Sequence, residues 1–168
     1  MGKIRIAGLV NDSIVDGPGL RLAIFTQGCA HHCPECHNEH THDFHGGYEE
    51  DIDQIVKMAL TNPLLSGITL TGGDPFYQVD ASLELVYKLS GRGLNLLAYT
   101  GFTWEQLEEM RKTNDNLNRL LHELDVVIDG PYQKEERDLS LRFRGSKNQR
   151  IIDVKQTMNQ HHLVTLNW

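Results

Sequence analysis

Cys29, Cys33 and Cys36 are the only cysteines in the chain, and they stand at the spacing C-x-x-x-C-x-x-C inside Gly28-Cys29-Ala30-His31-His32-Cys33-Pro34-Glu35-Cys36-His37-Asn38. Three thiolates so close together reach one metal centre when the segment loops around it, and Gly28 and Pro34 suit a loop. No fourth cysteine follows, so one coordination position lacks sulfur. An open position separates a catalytic metal site from a closed structural one. Two centres fit. One is an iron–sulfur cluster with three irons held by these cysteines and a fourth open to a substrate; such clusters ordinarily have four thiolates. The other is a zinc site of three cysteines and one histidine. Six of the nine histidines fall within residues 31–45, which keeps zinc in play. Inert core cysteines are a third alternative, opposed by the crowding of every cysteine into one polar stretch. Spacing alone does not choose between cluster and zinc.

A second group is Thr71-Gly72-Gly73-Asp74-Pro75. Two residues without Cβ let a ligand approach the backbone closely, and Asp74 offers a carboxylate that could accept from an ammonium group. Gly-Gly and Asp-Pro also mark ordinary turns. The argument for a site is their company.

The elements that position these groups alternate between strand and helix. Residues 4–10 read as a short edge strand, and Asp16-Gly17-Pro18-Gly19 as a turn. Leu20 to Thr26 reads as a buried strand that runs straight into the cysteine loop. Ile52, Ile55, Val56, Ala59 and Leu60 set a helical stripe over 49–61, ended by Asn62-Pro63. A strand at 68–70, a helix over 78–90 and a strand at 94–99 follow. Thr103-Trp104-Glu105-Gln106 has the form of a capping box opening a third helix. Helical spacing returns at Leu117, Leu120, Leu121 and Leu124, then a strand at 125–128, a charged loop over 132–149, a strand at 151–154 and a weaker one at 163–166. Alternation of this kind predicts parallel β-α units. Four strand ends run into glycine with small or acidic neighbours: Gly28-Cys29, Gly72-Gly73-Asp74, Thr100-Gly101 and Asp129-Gly130. In a parallel sheet these ends share one rim, the edge where α/β active sites form.

The chain has 168 residues, a formal net charge of −7 and a pI near 5.7. That length suits one domain, residues 1–168, and falls short of the roughly 250 residues of a complete eight-stranded barrel. The acidic balance disfavours a nucleic-acid partner, which wants a basic face. There is no signal-peptide pattern at the start and no run long enough to span a membrane. An odd cysteine number without an export signal points to the reducing cytoplasm.

The cysteine motif after one strand and Gly-Gly-Asp-Pro after the next resemble the radical S-adenosylmethionine enzymes. Val15-Asp16-Gly17-Pro18-Gly19-Leu20-Arg21 and Cys36-His37-Asn38 are similar to the glycyl-radical-enzyme activases among them. Val126-Val127-Ile128-Asp129-Gly130-Pro131-Tyr132 and the stretch Leu141 to Arg150, with its Arg-Gly-Ser-x-Asn-Gln, resemble those that serve anaerobic (class III) ribonucleoside-triphosphate reductase. The likeness runs from about residue 13 to 154. It implies a partial, open (β/α)6-type TIM barrel of the radical S-adenosylmethionine kind, open on one side to admit a loop of another protein. It implies that Cys29, Cys33 and Cys36 hold a [4Fe-4S] cluster. S-adenosylmethionine would bind the remaining iron, with Thr71, Gly72, Gly73 and Asp74 at its methionine end. Glu35, Cys36 and His37 would lie near adenine, and Thr100 and Asp129 would contact ribose or methionine. The implied partners are the glycyl-radical loop of the large subunit of the reductase and a flavodoxin or ferredoxin as electron donor. Pyruvate formate-lyase is an alternative target, and a zinc-binding adaptor the non-enzymatic alternative. The chain departs from many members in having Glu35 where an aromatic precedes the third cysteine, and Asp74 where Glu is common. Arg142 and Arg144 are candidates for partner contact, Asp16 and Arg21 for shaping the groove, and Trp104 and Trp168 for packing.

Overall fold

A computed structural model describes residues 2–31 and 39–168. Among these residues, seven strands form one open sheet: β1 (Lys3–Ser13), β2 (Arg21–Thr26), β3 (Tyr48–Asp51), β4 (Gly67–Gly72), β5 (Asn95–Tyr99), β6 (Val126–Asp129) and β7 (Arg150–Asp153), in the order β3-β1-β2-β4-β5-β6-β7. The four strands β2, β4, β5 and β6 are parallel. The flanking strands β1, β3 and β7 are antiparallel to their neighbours. Parallel units throughout are therefore not what forms. A parallel pair needs a crossover of a dozen or more residues. The Asp16–Gly19 turn between β1 and β2 is too short for one, and the 130–149 connection contains no α-helix, so both join antiparallel neighbours.

Three further local readings change. The β1 strand is interior, because β3 covers its outer side through pairs from Lys3↔Asp51 to Ile6↔Tyr48. Residues 49–51 belong to β3, and the helix α1 (Ile52–Thr61) begins only after Asp51, whose side chain caps it by accepting from Asp53 N. Residues 163–166 make only an isolated bridge, Ile152↔Thr165. An additional helix, α5 (Val154–Gln160), follows β7 directly.

The other helices are α2 (Val79–Leu89), α3 (Trp104–Met110) and α4 (Asp115–Glu123). The α3 capping box forms as its sequence predicts, with Thr103 Oγ1 accepting from Gln106 N and Gln106 Oε1 from Thr103 N. Buried residues of all five described helices pack into one core with Leu22, Ile24, Ile68, Leu70, Leu96, Ala98 and Val127 from one face of the sheet. The strand period of two sends their neighbours Arg21, Phe25, Thr69, Thr71, Leu97, Tyr99 and Ile128 to the opposite face. That face is covered by no helix among the described residues. Leu97, Val126, Ile128 and Ile151 form a smaller core there with Phe143, Leu166 and Trp168. Near the starts of the strands, the fully buried Arg21 donates to Thr69 Oγ1, Pro18 O, Ile68 O and both oxygens of Asn95. Burial pulls its guanidinium down to about 10, which leaves it cationic at neutral pH.

Candidate active site

The C-terminal ends of β2, β4, β5 and β6 share one rim, and a cavity of about 500 Å³ opens on the helix-free face beneath it. Cys29, Thr71, Gly72, Gly73 and Thr100 line this cavity, as the sequence motifs predict. Cys33, Glu35, Cys36 and His37 lie outside the described residues. Cys29 is buried, at 6% exposure. Its loop is rooted by backbone bonds from Gly28 N to Thr41 O (2.6 Å) and from Cys29 N to His42 O (3.1 Å).

The glycines of the second motif have a structural duty that the sequence alone did not disclose. Gly73 N donates to Thr26 O at 2.7 Å and Asp74 N to Gly28 O at 2.9 Å, so the end of β4 lies against the root of the cysteine loop. A Cβ on Gly73 would fall 2.5 Å from Gly28 O; one on Gly72, where φ is +91°, would fall 2.6 Å from Thr26 N. Absence of Cβ brings two strand ends together as well as leaving backbone open to the cavity.

Neither Asp74 nor Asp129 lines the cavity. Asp74 is fully buried. Its Oδ1 accepts from Phe76 N (2.9 Å), and its Oδ2 from Thr100 Oγ1 (2.8 Å) and Gly101 N (3.0 Å), with His31 Nε2 at 2.7 Å. Asp129 is 1% exposed and accepts from Trp104 N (2.7 Å) and from Arg150 through its backbone N, Nε and Nη2, the last at 2.6 Å. It thus holds the start of α3 and the edge strand β7. Arg150 also grips Glu105 (2.7 Å); bonds to Asp129 first and Glu105 second hold its guanidinium above the ordinary value, and Arg150 in turn lowers Glu105.

The cavity has a third wall, built from residues of the stretches 126–132 and 141–150, which carry the family resemblance but gave these residues no cavity role. Phe143, Arg144, Gly145 and Gln149 come from the long connection before β7, together with Tyr132. Phe143 adopts a left-handed backbone, φ +65°, which is uncommon for a side chain of its size. Tyr99 Oη donates to its carbonyl at 2.5 Å, Arg142 stacks 4.9 Å over its ring and Trp168 meets that ring edge-on at 5.7 Å. Burial raises the Tyr99 hydroxyl well above its usual value. Arg144 Nη1 donates to Gln149 O (2.7 Å) and more loosely to Lys147 O (3.3 Å), while its buried Nε has no partner among the described residues. Asp16 lines the cavity, whereas Arg21 lies below it. Trp104 is buried in the main core. His31 is on the cavity wall; no sequence signal distinguished it from its histidine neighbours.

This arrangement sets a buried thiol beside strand-end backbone on one cavity. A family model described as a 4Fe-4S single cluster domain matches residues 15–152. The anaerobic ribonucleoside-triphosphate reductase-activating protein of Vibrio cholerae is 32% identical over 146 residues, covering 82% of this chain and 90% of that one. The chain belongs to the anaerobic ribonucleoside-triphosphate reductase-activating protein family. Within this family, the protein so named from Escherichia coli (strain K12) is 32% identical over 150 residues, 84% of this chain and 94% of its own length. That of Enterobacteria phage T4 is 32% identical over 143 residues, 82% and 86%. The match to a 4Fe-4S domain supports an iron–sulfur cluster. No described helix is long and apolar enough to cross a membrane.

Proposed function

We propose that this protein is a radical S-adenosylmethionine activase of an anaerobic ribonucleoside-triphosphate reductase, acting in the cytoplasm. The observation that carries the reading is the placement of Cys29 on the cavity whose other walls are Gly72-Gly73 and Thr100-Gly101. Cys29, Cys33 and Cys36 would hold a [4Fe-4S] cluster, and their donor set suits it: three soft thiolates and no fourth, with backbone bonds fixing the chain at Gly28 and Cys29. Bound together, cluster and S-adenosylmethionine would supply a one-electron reductive cleavage of the sulfonium bond, directed at hydrogen removal from a glycine of the reductase, with a flavodoxin or ferredoxin as the electron source.

The chain's own residues bind, orient and shield. The backbone at Thr71, Gly72 and Gly73 faces the methionine end, and Thr100 lies beside it. Asp74 and Asp129 serve from behind the wall by fixing the segments that form it. Glu35, Cys36 and His37 take the adenine side. Phe143 and Tyr132 narrow the cavity opposite. The sheet is read as the arc of a partial, open barrel: its helices cover one face only, as in a barrel and unlike a doubly wound sheet. The open side leaves room for a segment of another protein.

Anaerobic reconstitution tests the reading. The expected product is a brown protein with about four irons per chain, bleached by dithionite, as a [4Fe-4S] cluster requires. It should release 5′-deoxyadenosine and methionine from S-adenosylmethionine and raise a glycyl doublet in the electron resonance spectrum of the reductase. Cys36→Ala should abolish all three. A colourless protein with one zinc, or a doublet raised only on pyruvate formate-lyase, would overturn it.

A further inference from the structure

The carboxylate of Asp74 is engaged before any ligand arrives. Its Oδ2 is met from three directions: His31 Nε2 from the cysteine loop, and Thr100 Oγ1 and Gly101 N from the end of β5. A carboxylate oxygen has about two lone-pair sites, so Oδ2 is saturated. Asp74 Oδ1 caps the turn at Pro75–Tyr77 through Phe76 N. With no exposed surface and no place on the cavity wall, this side chain has no open route to an ammonium group.

His31 is as firmly placed. Its ring meets Phe102 edge-on at 4.6 Å and Tyr77 at 5.6 Å. It lies so close to the backbone of Gly101 that a Cβ there would stand 2.4 Å from its Cδ2. A carboxylate only accepts, so the nitrogen facing Asp74 carries the proton. The same two segments are joined again by Asp74 N to Gly28 O, on the other side of Cys29. The segment from Gly28 to His31 is thus held at both ends by one residue.

We infer that His31 is a positioning residue: through Asp74 it locks the loop bearing Cys29 to the Thr100-Gly101 wall, so the metal end and the ligand end of the cavity keep a fixed spacing. Asp74 then acts on the ligand through this clamp and not by contact. The inference rests on the S-adenosylmethionine reading of the cavity.

A double-mutant cycle tests it on the reconstituted protein, with uncleavable S-adenosylhomocysteine as probe. His31→Leu removes a hydrogen bond to a charged group, so the dissociation constant of S-adenosylhomocysteine should rise about tenfold or more. Asp74→Asn should weaken binding similarly. The double variant should be no weaker than the worse single one by more than about twofold, since coupled residues do not add. His31→Gln, which places an amide near the Nε2 position, should recover most of the loss. The reduced cluster's electron resonance signal should also shift less on adding S-adenosylmethionine in His31→Leu than in wild type. In the metal-free protein, hydrogen exchange should quicken at the Gly101 amide, which bonds Oδ2, and not at Phe76, which bonds Oδ1. If His31→Leu does not fold, His31→Asn, whose amide stops short of Oδ2, replaces it with the same expectations.

Full additivity would mean that Asp74 touches the ligand itself, and the clamp would be wrong. Wild-type binding with unchanged Gly101 exchange in His31→Leu would overturn it as well. A wild-type reconstituted protein that binds neither S-adenosylhomocysteine nor S-adenosylmethionine would instead defeat the proposed function; the exchange measurement would still judge the clamp.

Discussion

Gly73→Ala probes the seam between the end of β4 and the cysteine loop. The added Cβ would stand 2.5 Å from Gly28 O and 2.8 Å from Thr41 O, both backbone atoms, where ordinary contact begins at 3.4 Å. Relief demands a retreat of about 0.9 Å by a carbonyl that already accepts from Asp74 N at 2.9 Å. The retreat cannot be made without disturbing that bond. Overpacking costs about 1–3 kcal/mol, and a buried bond left unmade about 1–3 more. The alanine recovers about 0.4–1 kcal/mol by restricting the unfolded chain. The expected net loss is therefore about 1–6 kcal/mol in urea unfolding of the metal-free protein, with iron uptake falling because Cys29 moves with Gly28. Gly8→Ala is the control. Its Cβ would meet nothing within 4 Å, and the change should stay below about 1 kcal/mol. Unfolding of Gly73→Ala within about 0.5 kcal/mol of wild type, with full iron, would refute the packing argument; surface-like substitutions behave that way.

Arg150→Met should cost about 3–5 kcal/mol in the same urea assay, because it strips a buried carboxylate, Asp129, of its charged partner; a loss below about 1 kcal/mol would place the pair in solvent. Tyr99→Phe should cost about 1–3 kcal/mol at neutral pH by orphaning the Phe143 carbonyl. Burial raises the folded-state value of Tyr99 above 10.0, so its contribution is complete below pH 10 and declines as pH rises further, when only the unfolded chain gives up the proton. The deficit of Tyr99→Phe should narrow above pH 10 by up to about 1.4 kcal/mol per pH unit. Arg21 acts oppositely, adding stability above about pH 10; both proteins carry it, but the Tyr99 charge raises its value, so it cancels only in part. Trp168→Ala should cost about 0.5–1.5 kcal/mol beyond lost burial by removing the edge-on partner of Phe143, read as a lower urea midpoint.

What could be read from the chain was what local pattern encodes. The Thr103 capping box, the stripes of α1 (without Leu60, which is exposed), α2 and α4, and the four glycine-marked strand ends appear where spacing put them. The β3 strand was hidden because Glu49, Glu50 and Asp51 look like an acidic first turn; pairing with Lys3–Ile6, more than forty residues away, prevailed. The α5 helix was hidden because only Val154 and Thr157 are buried, too few to draw a stripe. At the site, Cys29, Thr71, Gly72, Gly73 and Thr100 reach the cavity because backbone position suffices to put them there. The carboxylates of Asp74 and Asp129 do not reach it, since their direction is set by partners at separations of 43 and 21 residues, His31 and Arg150. Phe143 escaped notice for the same reason: of its partners only Arg142 adjoins it, while Tyr99 and Trp168 are remote in sequence.

The connection from Gly130 to Gln149 leaves the rim and returns to it, because β7 runs against β6. Its feet are stitched together by Asp129 with Arg150, Gly130 O with Gln149 Nε2, and Pro131 O with Asn148 Nδ2. Doubling the length of such a loop costs only about 0.6 kcal/mol in closure entropy. The span between those feet also carries Tyr132, Phe143 and Arg144 of the cavity wall, so its length can change freely only at the tip, around the exposed Leu139 and Ser140, while the strands below stay in register.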